Sequence, residues 1–76
     1  MTKAEIKSVR DAVPFKSFTI RLSDGGIANI PHPEYLAIHP KASLIIALNP
    51  AGGFSVIEPQ HVVALDFSST SRAKVG

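Results

Sequence analysis

Between Pro14 and Glu34 the chain reads as a β-hairpin, and that segment constrains the fold class more than any other. Phe18, Ile20 and Leu22 alternate with Thr19, Arg21 and Ser23, the period-two pattern of a strand with one buried face. The following Asp24, Gly25 and Gly26 must reverse the chain without exchanging its faces. A two-residue turn at Asp24 and Gly25 would set Ile20 against Asn29 and Arg21 against Ala28, mixing core and surface on both strands. A three-residue loop from Asp24 to Gly26, with Gly26 left-handed as a G1 bulge, instead pairs Leu22 with Ala28 and Ile20 with Ile30. Glycine takes that conformation without strain, so this is the expected register.

Upstream, Thr2 and Glu5 have the spacing of a capping box, and Ile6, Val9 and Val13 recur at helical spacing before Pro14. A short amphipathic helix is expected over residues 3 to 12. Its other side carries Lys3, Lys7 and Arg10, a solvated face or, alternatively, a strip able to contact phosphates.

Downstream, Pro31 and Pro33 cannot donate to a ladder and force an edge, bend or bulge. Tyr35 to His39 resumes as a strand, Leu44 to Leu48 is the apolar run of a central strand, and Asn49 to Gly53 is a turn. Phe54 to Ile57 is a short strand, Glu58 to His61 a helical turn or tight bend, and Val62 to Phe67 the last strand, with Val63, Leu65 and Phe67 on one face.

One helix followed by five or six short strands defines a mainly β protein with one N-terminal helix. The expected architecture is a small bent β-barrel or roll of the SH3-like or Sm-like kind, and the helix-first order is the Sm-like one. A two-layer sheet with the helix across one face is the alternative. Residues 1 to 67 form the single domain, and residues 68 to 76, Ser-Ser-Thr-Ser-Arg-Ala-Lys-Val-Gly, are expected to be a disordered tail.

The run Pro14, Phe15, Phe18, Ile20, Leu22, Asp24, Gly25, then His32, Pro33, Glu34 and Tyr35, resembles a recurring pattern in short bacterial proteins of unassigned function. The likeness covers residues 14 to 39. It implies a stand-alone bacterial domain and brings no activity with it.

Charge bears on the class of partner. The pI near 9.3 invites a nucleic-acid reading. Residues 1 to 67, however, hold Lys3, Lys7, Arg10, Lys16, Arg21 and Lys41 against Glu5, Asp11, Asp24, Glu34, Glu58 and Asp66, which cancel. The excess is Arg72 and Lys74 in the tail, so counterion-release binding by the body is weak. No run approaches the roughly 18 apolar residues of a spanning helix, and no apolar stretch of signal-peptide length stands at the N-terminus. A cytoplasmic location and no membrane association are expected. Without cysteine, disulfides and thiolate metal sites are excluded.

Chemistry then rests on three histidines. In an extended strand His32 and Glu34 share a face, so an imidazole and a carboxylate could meet one ligand or metal. Two ligands are too few for a structural zinc site, and local hydrogen bonding by His32 accounts for the pair as well. Asp24 to Gly26 and Ala51 to Gly53 are turns without the helix N-terminus that phosphate binding uses. Among the rings, Phe15, Phe18, Phe54 and Phe67 suit core positions, whereas Tyr35 beside the proline bend is the candidate for exposure.

No catalytic, cofactor or small-molecule motif of high specificity occurs, so no enzyme activity and no cofactor are expected. The leading expectation is a non-catalytic interaction module that self-associates or binds a protein partner. Its candidate contact residues are His32, Glu34, Tyr35, Lys3, Lys7 and Arg10. An Sm-like RNA-binding protein is the alternative, and a metal- or ligand-binding enzyme using His32 and Glu34 comes third.

Overall fold

A computed structural model describes residues 1–67; the expected tail, 68–76, lies outside the described residues. Along the chain come helix α1 (Lys3–Arg10), strands β1 (Phe18–Leu22) and β2 (Ile27–Ile30), and the 3-10 turn η1 (Pro33–Tyr35). Strands β3 (Leu36–Ile38), β4 (Ile45–Leu48) and β5 (Phe54–Ile57), the 3-10 turn η2 (Pro59–His61) and strand β6 (Val62–Asp66) complete the order.

The capping box forms as its spacing predicts. Thr2 accepts a hydrogen bond from the Glu5 N–H at 3.1 Å, and the Glu5 carboxylate accepts one from the Thr2 N–H at 2.8 Å. The backbone bond from Thr2, followed by the Thr2 hydroxyl, holds the Glu5 carboxyl below its ordinary pKa. Helix α1 stops at Arg10, two residues short of expectation, with Asp11 as its C-cap. The Asp11 carboxylate takes Lys7 Nζ at 2.6 Å and Arg10 Nε at 2.9 Å, neutralising itself on the cations of the last turn. Ile6 is fully buried and Val9 packs on the core, but Val13, beyond the cap, is 95% exposed.

The hairpin loop is of the expected kind but sits one residue earlier. Gly25 donates to Leu22 O at 3.0 Å and Leu22 donates to Gly26 O at 2.8 Å, so the loop is Ser23 to Gly25. Gly25 at φ +92°, not Gly26, is the left-handed residue. Asp24 Oδ1 accepts from Gly26 N–H at 2.8 Å, an Asx bond that fixes this choice. The pairs are therefore Phe18 with Ile30, Ile20 with Ala28 and Arg21 with Ile27. Moving a three-residue loop by one position slides the register by two, which leaves every side chain on its expected face.

Two three-stranded antiparallel sheets result, ordered β2-β1-β6 and β3-β4-β5. They share one core of Ile6, Phe18, Ile20, Ile30, Leu36, Ile45, Ala47, Ile57 and Val62. Among the described residues neither sheet closes into a barrel. Strand β6 departs from simple alternation. Ile20 faces Leu65 and Arg21 faces Ala64, but Leu22 faces Val62, so Val63 is the extra residue of a bulge. The bulge buries Val62 and turns Val63 outward, 58% exposed, where unbroken alternation would place it inside.

Candidate interaction surface

The outer face of the β3-β4-β5 sheet is apolar. Leu48 pairs with Phe54, and Ala37, Ile46 and Val56 lie in one row across the three strands. Since Ile45, Ala47 and Ile57 point into the core, their alternating neighbours must point out. Phe54 is 67% exposed, Val56 55% and Leu48 40%, with Ile46 half-buried between them. Phe54 is thus the most exposed phenylalanine and Phe67 is 37% exposed, against the expectation that both are core and that Tyr35 is the exposed ring. Tyr35 is half-buried and packs against the core.

Strand β5 is also a sheet edge, with β4 as its sole strand neighbour among the described residues. Asn49 donates to Gly53 O at 2.9 Å, so the hydrogen-bonded pairs alternate as Asn49 with Gly53, Ala47 with Ser55, and Ile45 with Ile57. The N–H and C=O groups of Phe54 and Val56 consequently point away from β4. The strand carries no charge and no proline from Phe54 to Ile57, the usual devices that blunt an edge. The edge of β3 differs, because Arg10 Nη1 donates to Leu36 O at 3.1 Å and Lys3 Nζ donates to His39 O at 2.8 Å.

These bonds bear on the basic strip. Lys3 also donates to Ala42 O at 2.8 Å, and Lys7 and Arg10 converge on Asp11. All three cations therefore have intramolecular partners that tie α1 to itself, to β3 and to the turn after it. That turn is organised further by His39, whose Nδ1 accepts from the Lys41 and Ala42 N–H groups at 3.0 and 2.8 Å.

His32 and Glu34 do not sit on one strand face. Pro33 starts the η1 turn with His32 as its N-cap, and a 3-10 turn places residues three apart, not two, above one another. His32 accordingly lies against Tyr35, their ring centroids 6.1 Å apart. The same geometry recurs at η2, where Pro59 brings His61 Nε2 to 3.0 Å from Glu58 Oε1. Sequence reasoning missed this second pair, although a proline flanked by Glu58 and His61 at a spacing of three carries the signal.

Glu58 and His61 line an open groove of about 470 Å³ together with Leu22, Ser23, Asp24, Val56 and Ile57. The groove borders the free edge of β5. Its imidazole and carboxylate are both about half exposed and bonded to each other, which fixes their orientation. No set of three or more His, Asp or Glu side chains able to hold a metal ion occurs among the described residues. Nor is any helix among them long and apolar enough to cross a membrane. Compared with known proteins, the chain matches no family model, no curated protein and no solved structure.

Proposed function

We propose that the protein is a non-catalytic interaction module that self-associates through the open edge of β5 and the apolar side chains of Phe54 and Val56 that flank it. The observation that carries this reading is the coincidence, at Phe54 and Val56, of exposed apolar side chains with backbone groups directed to an open sheet edge. A chain of this size buries only about 60% of its unfolded surface, so apolar area left outside is a source of stability that a partner subunit can use. The two sheets are read as halves of an SH3-like roll. In that reading β2, η1 and β3 are one bent strand interrupted at Pro31 to Tyr35, and β6 returns antiparallel to β1. The RNA-binding alternative rests on Lys3, Lys7 and Arg10, and their intramolecular bonds leave it less support than the apolar face has.

A dilution series followed by amide chemical shifts tests the reading. Shifts that depend on concentration are expected at Phe54, Ser55 and Val56. Concentration dependence confined to α1, or none at millimolar protein, would count against it.

A further inference from the structure

We infer that the occupant of the β5 edge is a second copy of the chain, paired strand to strand about a two-fold axis at Ser55. The inference rests on the self-association proposed above and adds its geometry. Two antiparallel β5 strands satisfy each other's outward backbone groups only in registers that place Phe54 and Val56 in hydrogen-bonded positions. Centring on Ser55 pairs Phe54 with the partner's Val56 and Val56 with the partner's Phe54, so both residues of each edge donate and accept. Opposed residues share a face, and the two apolar rows then join into one outer surface of a six-stranded sheet.

Charge and size agree with this register. From Ala51 to Ile57 the edge is uncharged, so two copies meet without like charges facing each other. Glu58, the first charged residue, falls opposite the partner's Gly52 and is already bonded to His61. Ile57 falls opposite the partner's Gly53. Where the edge passes the hairpin tip at Leu22 to Asp24, the incoming chain thus brings glycines, which carry no side chain into the groove. A charged or bulky peptide lacks this match. Strand β5 is only four residues long, so the dimer is expected to be concentration-dependent and not obligate.

Ser55 gives the test. On the two-fold axis it meets the partner's Ser55 as a non-hydrogen-bonded pair, where Cα atoms lie about 4.5 Å apart, within disulfide range. The chain has no cysteine, so Ser55→Cys introduces a single thiol. Under mild oxidation, Ser55→Cys is expected to form on the order of tenfold more disulfide dimer than Ser43→Cys, an exposed control on the β3-β4 turn, because pairing raises the local thiol concentration. Adding Val56→Lys to Ser55→Cys is expected to abolish the excess while leaving the far-ultraviolet spectrum unchanged. If the unmodified protein has a dimeric mass but Ser55→Cys cross-links no better than Ser43→Cys, the β5 pairing is overturned and self-association stands. A monomeric mass at every concentration, with no excess cross-linking, overturns both.

Discussion

At the C-cap of α1 the Asp11 carboxylate closes on the two cations of the last turn. By accepting from Arg10 and then from Lys7 it is held down to about 2 from an ordinary 3.8. Because the folded value lies below the unfolded one, this carboxylate stabilises the fold at pH values above about 4. The contribution fades as pH falls through the interval towards 2. Melting temperatures of the wild type are therefore expected to drop more steeply across that interval than those of Asp11→Asn, whose neutral side chain cannot titrate. Parallel slopes for the two proteins would show that the Arg10 and Lys7 bonds do not bias folding. The same two cations, read from sequence as one solvent strip, illustrate why side-chain partners resist sequence reasoning. Spacing on a helix shows that Lys7 and Arg10 share a face, but not that Asp11 and the carbonyl of Leu36 lie within their reach.

Elements were legible where alternation or a proline dictated them. The order of one helix and six strands, the turn at Pro59 and the central place of β4 all follow from local pattern. The departures arise where a single residue of offset changes the outcome. Two adjacent glycines offered two homes for the left-handed residue, and the Asx bond from Gly26 N–H to Asp24 selected Gly25. In β6 no residue in the sequence marks the bulge, because Val62 and Val63 suit either face equally. At η1 His32 and Glu34 do not share a strand face because Pro33 begins a three-residue turn. The loop assignment has its own test. A Cβ at Gly25 meets nothing within 4 Å, so Gly25→Ala is opposed only by its φ of +92° and is expected to cost roughly 1–2 kcal/mol. Gly26→Ala instead places Cβ 3.0 Å from Asp24 Oδ1 and strains the Asx bond without a left-handed penalty. Chemical denaturation of the two variants would refute the assignment if Gly25→Ala proved neutral.

For the whole molecule, the candidate site is the feature least visible beforehand. Phe54 reads as core by residue type, and only the register of β4 with β5 reveals that it alternates outward beside Leu48. What distinguishes that face from scattered surface hydrophobics is its continuity across Ile46, Leu48, Phe54 and Val56 and its position on an unblunted edge. The body is electrically neutral, so the proposed association at the β5 edge is expected to persist in high salt. The most direct test is native mass by light scattering over a concentration series, at low and high salt, with absorbance at 260 and 280 nm across the peak, for the wild type and Phe54→Ser. The account predicts a wild-type mass above that of one chain that persists in high salt without nucleic acid, and a monomeric Phe54→Ser. A wild-type monomer at all concentrations, or a mass that collapses in salt as bound nucleic acid is released, would contradict it.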